Sequence, residues 1–173
     1  MKPARSGLRV GVIGEGVCSR RVAALAERVG RAIAEAGAVL LCGGLGGVME
    51  AAARGAAQGG GLVVGLLPGF EARDANRWVS LPIVTGMDQA RNVILVRSCD
   101  AVVAVGGRYG TLSEIALALK LGRPVVGLGT WRLAQPEGRR VPLPSARTPE
   151  EAVARALRAA RRAGGARRHG WLV

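Results

Sequence analysis

The chain has 173 residues, enough for one domain that buries its own core without a disulfide or metal staple. Hydrophobic residues at 49% and charged residues at 21% exclude a disordered or fibrous chain. The formal net charge is +13, and Lys2 and Lys120 are the only lysines, so anionic ligands or partners are expected to meet arginine.

The N-terminal residues Met1-Lys2-Pro3-Ala4-Arg5 lead directly into an apolar run at Leu8–Ile13, read as the first strand. Gly14-Glu15-Gly16-Val17-Cys18-Ser19 follows. A helical pattern then covers Ser19–Ala36, where Val22, Leu25, Ala26, Val29 and Ile33 share a face and Gly37 stands just past the end. Val39–Leu41 is a second strand. Cys42 and the cluster Gly43-Gly44-Leu45-Gly46-Gly47 separate it from a helix over Gly47–Gln58. Leu62–Leu67 is the third strand, Pro68–Val79 a loop without periodicity, and Leu81–Val84 a further short strand.

A helix is predicted over Asp88–Ser98 and a strand over Ala101–Val105. Gly106-Gly107-Arg108-Tyr109-Gly110-Thr111 comes next, then a helix over Thr111–Leu121 that Gly122 and Pro124 terminate, and a strand over Val125–Leu128. Trp131–Pro149 reads as a loop. Thr148-Pro149-Glu150-Glu151 is a capping box opening a last helix, about 149–164, which carries Arg155, Arg158 and Arg162 along one side. Gly164-Gly165 is expected to end it, leaving a basic tail, Arg167-Arg168-His169.

Nearly continuous Val/Leu/Ile strands alternating with helices are the pattern of a parallel sheet covered on both faces. The expected fold is therefore α/β: one Rossmann-like, doubly wound domain spanning residues 1–173, with its core at about 8–130. The nearly all-apolar helix Leu112–Leu121 predicts burial against a second copy, giving a homodimer or higher homo-oligomer. Scattered Cys18, Cys42 and Cys99 and the single His169 argue against disulfides, zinc and histidine-based triads. No apolar run approaches the ~20 residues of a membrane span. A cytoplasmic protein with no membrane partner, no metal and no required cofactor is expected.

The glycine excess falls largely in three clusters, each between a predicted strand and helix. In a parallel sheet these turns share the carboxyl edge, where such folds bind ligands. Glycine there lets the backbone approach a ligand, and free N–H groups of the following helix suit a phosphate. The candidate ligand-binding residues are Gly14, Gly16, Gly43, Gly44, Gly46, Gly47, Met49, Gly106, Gly107, Gly110 and Thr111. Bare tight turns are the alternative. The first cluster reads G-x-G-x-x-S, Cys42-Gly43-Gly44 stands where a dinucleotide site wants an acidic residue, and no Walker lysine exists.

Cys42-Gly43-Gly44-Leu45-Gly46-Gly47-Val48-Met49 resembles the GGGxxGLM motif of the LONELY GUY (LOG) proteins, and Gly106-Gly107-Arg108-Tyr109-Gly110-Thr111-Leu112-Ser113-Glu114 resembles their PGGxGTxxE motif. Arg91 stands where that family has its motif arginine. The resemblance spans roughly Leu8 to Leu128 and extends to a superfamily that includes molybdenum-cofactor carriers and lysine decarboxylase-like chains. The tract from Arg91-Asn92 through Gly127 is most similar to the carrier-like branch. Cys42, Glu50, Asn92 and Val105 depart from the LOG pattern, which affects transfer of the activity more than transfer of the ligand site.

The resemblance implies a phosphoribohydrolase that cleaves the N-glycosidic bond of nucleoside 5′-monophosphates. The glycine loops would hold phosphate and ribose, and Glu114 and Arg91 would be the catalytic pair. A carboxylate can stabilise the positive charge that develops on the sugar, and an arginine can neutralise phosphate or assist the departing base. The alternative is a non-catalytic molybdenum-cofactor carrier using the same loops for the phosphate of molybdopterin. A pyridoxal-phosphate lysine decarboxylase is rejected, since neither Lys2 nor Lys120 suits a Schiff base.

Plainer readings stand beside these. Thr111 and Glu114 also form a capping-box pattern, Arg91 can pair with Asp88 or lie along the surface, Tyr109 can cover the sheet edge, and Cys42 can be a small buried residue. A third functional class is nucleic-acid binding of the Smf type, through Arg139-Arg140 and the last helix. Few aromatics and no recognition motif disfavour it.

Overall fold

A computed structural model of the chain describes residues 7–167. The strands are β1 (Arg9–Gly14), β2 (Val39–Cys42), β3 (Val63–Leu67), β4 (Leu81–Val84), β5 (Ala101–Val105) and β6 (Val125–Leu128). The helices are α1 (Arg20–Glu35), α2 (Val48–Gln58), α3 (Arg91–Ser98), α4 (Tyr109–Lys120) and α5 (Pro149–Arg167). All six strands join one sheet in the order β4-β3-β2-β1-β5-β6, and every pairing is parallel. The expected doubly wound α/β architecture is what the chain adopts. Strand order reverses at β1, which pairs β2 on one side and β5 on the other. The three glycine clusters follow β1, β2 and β5, so they end up side by side.

Strand alternation sorts the core into two layers. Val10 and Val12 of β1 and Val103 and Val105 of β5 pack with Val29 and Ile33 of α1, Ala52 of α2 and Ala156 of α5. Ile13, Val102 and Ala104 point the other way, onto Leu95 and Val96 of α3 and Ile115 and Ala118 of α4. On the first face α1 and α2 touch backbone to backbone. A methyl at Gly30 would overlap the Ala52 carbonyl oxygen, and one at Gly55 the Glu27 carbonyl oxygen.

Local signals explain most boundaries. Ser19 caps α1, its hydroxyl accepting from Val22 N–H at 3.3 Å, and Gly37 leaves the helix at φ +67°. Thr148 caps α5 by accepting from Glu151 N–H at 3.2 Å. The Glu151 carboxylate reaches back one residue further than a capping box does, to Arg147 N–H.

Three expectations are corrected. The segment Asp88–Ser98 is not one helix: Asp88–Ala90 is a 3-10 turn, with Asp88 at φ +47°, and α3 starts at Arg91. α4 starts at Tyr109 with Arg108 as N-cap, because the left-handed Gly106 and Gly107 turn the chain early. The Thr111–Glu114 capping box therefore does not form. Thr111 lies inside the first turn and Glu114 one turn on. α5 continues through Gly164-Gly165 to Arg167. A glycine in a helix costs only about 1 kcal/mol against alanine, and the alanine- and arginine-rich flanks favour continuation. Arg168 and His169 lie outside the described residues.

Along α4, Leu112, Leu117 and Leu119 are half-buried. Large apolar side chains are more open at the β4 edge, where Leu81, Ile83 and Val84 are exposed. No helix among the described residues is long and apolar enough to cross a membrane.

Candidate functional site

A cavity of about 500 Å3 opens at the carboxyl edge of the sheet where the strand order reverses. Of the residues singled out in the sequence, Gly14, Gly16, Met49, Arg91, Gly110, Thr111 and Glu114 line it. Gly43, Gly44, Gly46, Gly47, Gly106 and Gly107 are not on its wall but shape the backbone behind it. Gly47, at φ +64°, is the N-cap of α2, and the next N–H, of Val48, donates to the Glu15 carbonyl at 3.0 Å. The second glycine cluster is thereby tied to the first. Asn76 holds it from the other side, donating from Nδ2 to the carbonyls of Gly44 and Leu45.

Buried polar side chains mark the centre of the site. Among the described residues the buried polar or charged ones are Arg91, Asn92, Thr111 and Glu114, all in the first half of α3 or α4. The 3-10 turn before α3 places Arg91 at the edge of the sheet, and Gly43 makes room for its guanidinium. A methyl there would come within 2.5 Å of Arg91 Nη2 and 2.6 Å of Met49 Sδ. Arg91 is only 8% exposed, and its Nε and Nη1 are buried with no hydrogen-bond partner. It is not laid along the surface, and Asp88 acts on it through charge, more weakly than Glu114. A buried guanidinium with free donors is a ready anion receptor.

Glu114 is equally buried. Burial pushes its carboxyl up to about 7, against the opposing pull of the Arg91 charge. Burial also lowers Arg91 from its ordinary value, while Glu114 works to raise it. A carboxyl that titrates near neutrality can give or take a proton, and its burial at the cavity wall makes Glu114 a candidate functional residue.

The mouth is bridged by charge. Arg108 Nε lies 3.6 Å from Glu15 Oε2, joining the third glycine cluster to the first. Behind Arg108, Trp131 Nε1 donates to its carbonyl at 3.3 Å. Tyr109 does not cover the sheet edge: it is 81% exposed, with its ring centroid 6.0 Å from that of Trp131. Cys42 is the small buried residue expected, and burial raises its thiol to about 11, so it is inert at neutral pH. Glu15, Gln89, Asn92 and Arg108 also line the cavity and were not singled out as candidates. Their signal was position alone, flanking the motif glycines or Arg91.

The model of the SLOG cluster4 family matches residues 7–153. An uncharacterized protein of Archaeoglobus fulgidus is 51% identical over 147 residues, 84% of this chain and 92% of that one. Among solved structures, the molybdenum cofactor binding protein of Rippkaea orientalis is 36% identical, with a TM-score of 0.80 over 90% of this chain and 98% of that one. The molybdenum cofactor carrier protein of Chlamydomonas reinhardtii is also 36% identical, with a TM-score of 0.78 over 88% and 98%. DNA processing protein A of Helicobacter pylori shares the fold at 18% identity, with a TM-score of 0.64 over 87% and 80%.

Proposed function

The chain belongs to the SLOG cluster4 family, and from that premise we propose that it binds a phosphate-bearing heterocycle of the molybdenum-cofactor kind without transforming it. The buried guanidinium of Arg91, whose Nε and Nη1 have no hydrogen-bond partner, carries this reading. It supplies fixed positive charge, and the glycine clusters bring backbone close to the same space. A volume of about 500 Å3 falls in the range of small-molecule sites, roughly 300–1,000 Å3. Likeness to two proteins described as binding or carrying the molybdenum cofactor supports the ligand class. The cofactor, when bound, supplies redox chemistry of its own. The chain's part would be to hold the phosphate, with Arg91 as its cation, and to house the ring system in the cavity that Met49 and Thr111 also line.

Thermal stabilisation of the purified full chain by molybdenum cofactor, alongside a panel of nucleoside 5′-monophosphates, tests this. Concentration-dependent stabilisation by the cofactor that Arg91→Met removes is the expected result. Stabilisation by nucleotides alone would shift the ligand class, and none by either would end the proposal.

Glu114 favours a second reading, a phosphoribohydrolase acting on nucleoside 5′-monophosphates. In that reaction water adds to the anomeric carbon as the N-glycosidic bond breaks. The carboxylate would face the positive sugar, accept the proton of the water and return it to the departing base nitrogen, which leaves with the bonding electron pair, while Arg91 holds the phosphate. Free base released by the wild type and not by Glu114→Gln, measured by chromatography, is what this reading requires. Self-association through α4 is a further part of the proposal, to be read by light scattering. Nucleic-acid binding, supported by fold likeness and net charge, is the least favoured reading.

A further inference from the structure

We propose that a second cavity, at the carboxyl end of β6, binds a small flat anion, an aromatic or heteroaromatic carboxylate or phosphate, independently of the glycine-edge site. This cavity measures about 630 Å3 and is enclosed by the turn after β6 and the Trp131–Pro149 segment. That segment is held in place: Ala134 and Arg140 form an antiparallel bridge, Gly127 and Ser145 a parallel one, and Leu133 and Leu143 pack on the core. The space between is therefore built by the fold.

Its lining has two chemistries. Trp131, Leu133, Val141 and Leu143 supply apolar wall, suited to a ring. Arg132 and Arg140 also line it, and neither side chain has an ion-pair or hydrogen-bond partner among the described residues. No acidic side chain lines the cavity. Thr130 adds a buried hydroxyl with no hydrogen-bond partner, which a ligand oxygen would satisfy. Two free guanidiniums and an orphan hydroxyl beside an indole select an anion that also carries a flat apolar body. No described residue lines both cavities; the link between them is the Trp131 indole N–H, which donates to the carbonyl of Arg108.

Amide-resolved NMR of the full chain, titrated with phenyl phosphate, reads both cavities in one experiment. Saturable shifts of the Trp131 indole N–H and of the Gly129, Thr130, Leu143 and Ser145 amides are expected. Arg132→Ala with Arg140→Ala, both exposed positions, should weaken that set of shifts roughly 10-fold or more. Thr130→Val should weaken it roughly 3- to 10-fold. Arg91→Met should leave this set unchanged even where it abolishes shifts at the glycine edge, which separates the proposal from the function proposed above. Loop shifts that disappear with Arg91→Met, that survive the double arginine substitution, or that never saturate would each overturn it.

Discussion

The two faces of the sheet are built on different principles. On the α1–α2 side the contact is dry and close, with glycines letting backbones meet and alanines filling the remainder. On the α3–α4 side the same kind of apolar layer ends, at the carboxyl edge, in Arg91, Asn92, Thr111 and Glu114. Burying polar and charged side chains costs free energy, so packing alone does not explain why these four lie together. Among the described residues the buried polar side chains are confined to one edge of one face, and that sets the candidate site apart from the scaffold.

The sharpest way to break this contrast is a methyl group at Gly30. It would overlap backbone that cannot move away without parting α1 from α2. Gly30→Ala should destabilise the chain by about 3 kcal/mol despite alanine's better helix propensity, as read by urea denaturation. Unchanged stability would mean that the close contact is not structural.

Glu114→Gln tests the other face, and its sign differs. The folded carboxyl titrates near 7, so between the ordinary carboxylate range and about 7 the native state holds a proton that the unfolded chain has lost. Glu114's contribution to stability is greatest in acid and declines as pH rises through that window. The glutamine variant should be more stable than the wild type by roughly 2–3 kcal/mol at pH 8 and nearly equal to it at pH 4. Melting curves that stay parallel at every pH would contradict the buried environment.

Arg91→Met should leave the fold intact: it removes buried donors that lack acceptors, and with the opposing charge gone the Glu114 carboxyl takes up a proton more readily. It should nonetheless weaken phosphate-bearing ligands roughly 10- to 100-fold, read by calorimetry. Equal affinity would remove Arg91 from the site. The smallest expected effect is at Ser19, on the scaffold side. Ser19→Ala removes the cap of α1 and should cost about 1 kcal/mol with no change in ligand affinity.

Most of the scaffold was legible in the sequence because its signals are local. Continuous Val and Leu runs mark the strands, Ser19 and Gly37 bound α1, and glycine clusters mark the turns. Glu114 shows where local signals fail. Thr111-x-x-Glu114 is a valid capping pattern, but two left-handed glycines start the helix two residues early, which carries the carboxyl to the cavity wall. Arg91 had no local sign of burial. Its position depends on the 3-10 turn at Asp88–Ala90 and on the space left by Gly43, some fifty residues away in the chain. The Trp131–Pro149 segment, aperiodic and proline-rich, gave no hint that it closes around a second cavity.

The sequence by itself determined the α/β class, the places of the strands and helices, the glycine turns and the family likeness, because each depends on residues close together in the chain. Tertiary structure alone decided which motif residues face a common space, that Arg91 and Glu114 are buried there, and that Arg132 and Arg140 stand beside Trp131. Burial and proximity are set by strand order and crossover packing, which bring together residues that no local pattern relates.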